Sequence, residues 1–167
     1  MEIRAADAAD WAHIWPFFAA IVEAGETYAY PWPMTSDEGR LLWMEPPPSL
    51  VVVAVDGDAV LGSAKVGPNR PGRGAHVATA SFMVDPRAQG RGVGRALATY
   101  AIDVAARQGY RGMQFNAVVE TNALAVRLWR ELGFAVVGTV PEAFDHRVHG
   151  LVGLHVMYRA LTPAADG

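Results

Sequence analysis

The stretch 75–107 constrains the fold most, because it passes from an apolar, strand-like run into a helix that opens on three glycines. Residues 75–84 have the length and β-forming content of a buried strand. Tyr100, Ala101, Val104 and Ala105 then recur at helical spacing. Between the two lie Gly90, Gly92 and Gly94, where the backbone is free to take positive φ and to approach a ligand with no Cβ in the way. The N–H groups that open a helix have no partners inside it and sit at the positive end of its dipole, so they form an anion site. Arg87, Arg91 and Arg95 add charge there. A pyrophosphate suits such a junction.

Spacing narrows the ligand. No lysine follows these glycines, as a mononucleotide loop requires, and a dinucleotide G-x-G-x-x-G read from Gly92 meets Leu97 at its last position. What stands in the chain is Gln89-x-x-Gly92-x-Gly94. Composition closes off other classes. With 167 residues, 51% of them hydrophobic, the chain has the material for one domain and one core. The net charge of −3 argues against nonspecific nucleic-acid binding, which needs a basic surface. The absence of cysteine removes disulfides, thiolate metal sites and a cysteine nucleophile. Met1-Glu2-Ile3-Arg4 is no signal-peptide opening and no run is long enough to span a bilayer, so a cytoplasmic protein without membrane partners is expected.

Along the chain, residues 2–5 read as a short strand and Asp7 as a helix cap. Trp11, Ile14, Trp15, Phe18, Ile21 and Val22 form an amphipathic stripe up to Gly25, in which Pro16 predicts a kink or two short helices. Thr35 to Glu38 is a capping-box pattern for a second helix, stopped by Pro46, Pro47 and Pro48. Residues 50–55 and 60–66 flank Asp56-Gly57-Asp58 as a hairpin. After the glycine-opened helix, 111–119 reads as a strand, 122–132 as a helix, and 134–140 and 151–161 as the last strands. The long connection 141–149 is expected to close over substrate or to contact a second subunit, giving a homodimer, with Phe144 as its apolar anchor.

The Gln89-x-x-Gly92-x-Gly94 pattern resembles the Q/R-x-x-G-x-G/A signature of the GCN5-related N-acetyltransferases (GNAT), which binds the pyrophosphate of acetyl-coenzyme A. Residues 115–134, ending in Leu132-Gly133-Phe134, are similar to the second motif of that family. The resemblance implies an α/β (α+β) fold in one domain, 1–162, with a tail at 163–167, built as a mixed sheet of about seven strands with helices on both faces. It implies acetyl-CoA as acetyl donor and no metal. It places the coenzyme on Phe82, Met83, Val84, Gln89, Gly90, Arg91, Gly92, Val93, Gly94, Arg95, Asn122 and Trp129. Backbone N–H groups of Phe82, Met83 and Val84 would serve the thioester carbonyl and the pantetheine amides, stabilising developing oxyanion charge.

Catalysis is less determined. Trp129 stands where many members have a tyrosine that protonates the leaving thiolate, and an indole N–H donates hydrogen bonds without serving as an acid near neutral pH. Packing along the pantetheine arm is its expected role. Asn116 is an amide inside an apolar strand, read either as a bulge partner or as a group that orients substrate. Locally, Phe115-Asn116 through Trp129-x-x-Leu132-Gly133-Phe134 looks most like acetyltransferases of proline analogues such as azetidine-2-carboxylate, whose strand asparagines position substrate. An alkyl ammonium with a pKa of about 10 needs roughly 4 kcal/mol to become neutral at pH 7, which makes a base desirable. Glu26 and Tyr28 are candidates for it; Glu120 and His76 read better as a loop residue and a satisfied strand histidine. His146 and His149 lack a third ligand at fixed spacing and read as loop residues. The acceptor is expected to be a small amine or amino-acid-like molecule. A protein N-terminus or lysine, or a noncatalytic acyl-CoA sensor, are the other readings.

Overall fold

The computed structural model describes residues 1–161. The domain end at 162 and the tail at 163–167 lie outside the described residues. Seven strands form one sheet: β1 (Glu2–Ala5), β2 (Leu50–Asp56), β3 (Ala59–Pro68), β4 (Val77–Val84), β5 (Gly112–Val119), β6 (Ala135–His146) and β7 (Gly150–Ala160). Four α-helices accompany them: α1 (Trp11–Ala24), α2 (Ser36–Trp43), α3 (Val93–Arg107) and α4 (Ala123–Glu131). The spatial order is β1-β2-β3-β4-β5-β7-β6, all antiparallel except the parallel pair β4/β5. This is the mixed sheet with helices on both faces that the GNAT resemblance implies.

Strand alternation sorts the core into two layers. Val51, Val53 and Met83 point to one face and pack with Trp11, Ile14, Phe18 and Trp43 of α1 and α2. Val52, Ala54, Leu61 and Ala64 point to the other, against Val93 and Leu97 of α3. Farther along that second face, Ala78, Met113, Phe115 and Met157 meet α3 and α4. The sheet is thus covered on both sides.

α1 is a single helix through Pro16, not two short ones. Proline removes one backbone bond there, and burial of Trp11, Ile14, Phe17, Phe18 and Val22 holds the helix across the gap. The capping box at Thr35 forms, with Glu38 N–H donating to Thr35 Oγ1 and Thr35 N–H donating to Glu38. The β2/β3 hairpin closes on Gly57 and Asp58, with Gly57 at φ 59°.

Two expected boundaries move. His76 precedes β4 and is exposed, so it is no residue of the central strand. The connection read as a long loop at 141–149 is mostly β6, leaving only residues 147–149 as the turn before β7. Pro141 concealed this, yet β6 is an edge strand, where proline is tolerated, and a register shift between Val140 and Phe144 absorbs the irregularity. Phe144 packs with Val119, Val152 and Leu154 as part of the sheet. The turn itself docks on the end of α1: Arg147 N–H donates to the Gly25 carbonyl at 3.0 Å and its guanidinium to the Glu23 carbonyl at 3.1 Å. His146 caps it, Nδ1 accepting the N–H groups of Val148 and His149.

Candidate active site

β4 and β5 pair only through Val77/Gly112 and Ala78/Met113, and then part. Beyond that point β5 bulges between Phe115 and Val118, which leaves Asn116 and Ala117 without partners in β7. The parting opens a cleft of about 510 Å³ that runs from the Tyr28/Tyr30 loop, past β4 and β5, to Gln89 and Trp129. Strand divergence therefore makes a gap in the centre of an otherwise continuous sheet.

Backbone groups alternate sides along a strand, and here they can be assigned. Asp85 N–H donates to the Leu61 carbonyl of β3, whereas Phe82 N–H donates to the Tyr28 hydroxyl at 3.0 Å. Phe82 and Val84 therefore face the gap, and Met83 faces β3. Met83 is removed from the set of backbone donors to the cleft, while its side chain, 1% exposed, belongs to the core. The Tyr28 hydroxyl also donates to the Phe82 carbonyl at 2.6 Å, so one phenol satisfies both polar groups of that residue. Burial pushes the Tyr28 pKa well up, with Tyr30 adding to it, and the hydroxyl stays protonated at neutral pH. A buried phenol in that state donates hydrogen bonds and does not remove protons.

At the other end of β4, a short turn at Pro86–Ala88 leads into α3. Gly90 and Gly92 are left-handed, at φ 78° and 77°, and a Cβ on either would meet nothing within 4 Å. Gly92 is the N-cap of α3 and no side chain caps the helix, so its first-turn N–H groups point outward. Gly94 is ordinary helix; a Cβ there would make van der Waals contact with Val84 and Leu128 at 3.6 and 4.0 Å. The Val93 side chain is core, which leaves its backbone as the part available to a ligand. An uncapped 15-residue helix behind two left-handed glycines is a cradle that suits the pyrophosphate of acetyl-CoA.

The arginines contribute less free charge than sequence counting implied. Arg87 pairs with Asp85 at 2.6 Å, Arg91 with Asp56 at 2.7 Å, and Arg95 with Glu131. Each carries its own carboxylate. Backbone dipole, more than side-chain charge, makes the site attractive to an anion.

Asn122 caps α4, its Oδ1 accepting Ala125 N–H at 3.2 Å, and it lines the cleft. Trp129 is 8% exposed and packs in an aromatic cluster with Phe82, Phe115 and Phe134, at centroid distances of 5.0, 4.7 and 6.2 Å. It forms part of the cleft wall.

Asn116 is exposed at the bulge, donating to Asn69 Oδ1 at 2.6 Å and accepting from Gln114 Nε2 at 2.9 Å. An amide has two donors and two acceptor lone pairs, so one of each is left for another partner. Glu26 is exposed and does not line the cleft. Glu120 accepts Gly153 N–H at 2.5 Å and fastens β5 to β7. Thr79 and Ser81 of β4, which sequence reading passed over, also line the cleft. Their signal was polar side chains at alternate positions in a strand covered on both faces. Among the described residues no cluster of three or more His, Cys, Asp or Glu is arranged to hold a metal, and no helix is long and apolar enough to cross a membrane.

Comparison with known proteins converges on the same chemistry. The model of the acetyltransferase (GNAT) family matches residues 12–134. The N-acetyltransferase aca1 of Schizosaccharomyces pombe is 31% identical over 137 residues, which span 73% of this chain and 66% of that protein. A GCN5-related N-acetyltransferase from Kribbella flavida is 62% identical, with a TM-score of 0.93 over 96% of this chain and 97% of that one. The yncA protein of Salmonella typhimurium, solved with its cofactor acetyl-CoA, is 29% identical, with a TM-score of 0.82 over 100% of this chain and 97% of that one. With the strand divergence, the uncapped helix and these matches in agreement, the chain belongs to the GNAT family of acetyltransferases.

Proposed function

We propose that this protein transfers the acetyl group of acetyl-CoA to the nitrogen of a small amine or amino-acid-like acceptor by direct attack. The observation that carries the reading is the β4/β5 cleft, which joins the uncapped N-terminus of α3 to a polar chamber under Tyr28. First-turn N–H groups of α3 and the backbone of Gly90 and Gly92 hold the pyrophosphate. Asn122 and Trp129 line the path of the pantetheine arm. The gap-side N–H of Val84 serves the acyl-pantetheine arm, since Tyr28 already holds both polar groups of Phe82. Asn116, with one donor and one acceptor to spare, orients the acceptor. Tyr28 is a positioning residue, bridging both polar groups of Phe82 where β4 leaves β5.

The amine lone pair forms the new N–C bond as the C–S bond breaks, and sulfur leaves with its electron pair. With Trp129 in the usual acid position, the thiolate takes its proton from solvent. A thiol pKa of about 8.5 makes that leaving group tolerable. The local resemblance to proline-analogue acetyltransferases makes compact cyclic amines, offered both as free amino acid and as amide, the first acceptors to test. Assembly as a homodimer belongs to the same reading and is checked by light scattering. Thiol release from acetyl-CoA, measured against a panel of amines, amino acids and peptides, tests the function. Release with small amines is the expected result. Coenzyme binding with no release on any acceptor would make the protein a noncatalytic acyl-CoA sensor instead.

A further inference from the structure

The acceptor chamber is polar but carries no charge. Its polar side chains are those of Thr27, Tyr28, Tyr30, Thr79, Ser81 and Asn116, and none of the described residues lining the cleft is Asp, Glu, His, Lys or Arg. Burial raises the pKa of both tyrosines, so they are neutral as well.

None of the ionisable groups on the surrounding elements lines the cleft. On β3, Lys65 donates to the Leu42 carbonyl at 2.7 Å and to Glu45 at 2.5 Å, with its ammonium 5.7 Å from the Trp43 ring centroid; it also meets the Tyr30 hydroxyl, with Glu45 balancing its charge there. Just past the end of β5, Glu120 accepts Gly153 N–H and does not line the cleft. On β7, His155 Nδ1 meets Thr139 Oγ1 of β6 at 2.7 Å. At the end of α1, Glu23 and Glu26 are exposed, and Arg147 of the β6/β7 turn reaches the Glu23 carbonyl. On the coenzyme side, Arg95 is paired with Glu131.

Resting on the acetyl-transfer reading above, we propose that the acceptor is a weakly basic amine, largely neutral near pH 7 and without a charged group close to its nitrogen. α-Amino amides and esters, aryl amines and hydroxylamines are of this class. The cleft selects against alkyl ammonium ions and zwitterionic amino acids. An ammonium entering the chamber gives up hydration and finds no carboxylate, and a carboxylate finds no cation. Hydroxyls and an amide, by contrast, hydrogen-bond well to a neutral amine or to the carbonyl of an amide or ester. Attack needs the neutral nitrogen: its lone pair forms the N–C bond, the C–S pair leaves with sulfur, and the nitrogen's surplus proton reaches sulfur through solvent. No co-reactant beyond acetyl-CoA and the amine enters. With no base in the chamber, the neutral fraction in solution sets the rate. An α-amino group, with a pKa of about 7.7–8.0, exceeds an alkylamine of about 10.4 by roughly 300-fold in that fraction at pH 7.

The test measures kcat/KM for thiol release with the whole protein between about pH 6 and 10, for three size-matched acceptors. These are a cyclic amino-acid amide, the corresponding free amino acid and the corresponding plain cyclic amine. The amide is expected to lead the plain amine by about 300-fold at pH 7, with the lead shrinking about tenfold per pH unit above about pH 8, and to lead the free acid as well. Equal rates for amide and plain amine at pH 7, or a preference for the free amino acid, would overturn the proposal. A Thr79→Glu protein supplies the missing carboxylate and is expected to narrow the gap between amide and plain amine. Calorimetric binding of acetyl-CoA certifies that this variant is folded. No release from any amine by wild-type protein that binds acetyl-CoA would remove the acetyl-transfer reading itself, and this proposal with it. A wrong acceptor class, in contrast, leaves turnover intact with its order reversed.

Discussion

At the scale of single residues, burial decides which side chains matter to stability. Ser63 is fully buried, accepting from Trp43 Nε1 at 2.9 Å and donating to the Val52 carbonyl at 2.8 Å, so it links α2 to two strands. Ser63→Ala leaves the Trp43 N–H without its partner, an expected loss of about 1–3 kcal/mol. Thermal melts should show a fall of roughly 3–10 °C in Tm for a domain of this size. Asp10 gives a pH signature. The Arg4 guanidinium, in a paired contact at 2.7 and 2.8 Å, holds its carboxyl below the ordinary range against the opposing effect of burial. Arg87 does the same for Asp85. A lowered folded pKa gives stability that is fully present above the unfolded value of about 3.9 and is lost as pH falls through the folded one. Melts below about pH 4 should therefore drop steeply, and Asp10→Asn should give a shallower acid limb from a lower neutral-pH Tm. Neither pairing is visible in sequence, because Ser63 and Trp43 are distant in the chain and a capping motif says nothing about Arg4.

At the scale of elements, the opening of α3 separates glycines that the sequence presents as equivalent. Gly92 is left-handed and Gly94 is helical. A side chain at Gly92 costs about 1–2 kcal/mol in backbone strain. A carboxylate there also stands in the anion cradle. Gly92→Asp is expected to abolish acetyl-CoA binding, and Gly94→Ala to change it less than about threefold, since a methyl there meets only ordinary contacts. Calorimetry on the two variants checks this, and equal losses would show that the cradle is misplaced. The periodicity of α1, α3 and α4 and the turn chemistry of Gly57 were legible because they are local. The second half of β6 was not, because Pro141 and Glu142 interrupt its pattern and only pairing with β7 shows that the strand read over 134–140 runs on to His146. At Pro16 the helix runs on instead of splitting in two, since tertiary packing outweighs one lost backbone bond.

At the scale of the whole molecule, the cleft divides a sheet that is otherwise continuous, with α3 and α4 on one face and α1 and α2 on the other. A coenzyme lying in that gap binds only the folded chain. Acetyl-CoA at about 100 times its Kd is thus expected to add about 2.7 kcal/mol, seen as a rise of roughly 5–10 °C in Tm. A Tm unmoved by acetyl-CoA would show that the cleft is not its site.

The sequence by itself determined the element order, the glycine-opened helix and the asparagine cap of α4, because hydrophobic period, turn residues and capping are properties of neighbouring positions. It also supplied the two motifs that mark the coenzyme. Only the tertiary structure decided which backbone groups of β4 face the gap, since that depends on pairing with β3. It also decided that Arg87, Arg91 and Arg95 are already paired, and that none of the described residues lining the chamber beside Tyr28 is charged. Those properties arise where segments far apart in the chain meet, and no local pattern encodes the meeting.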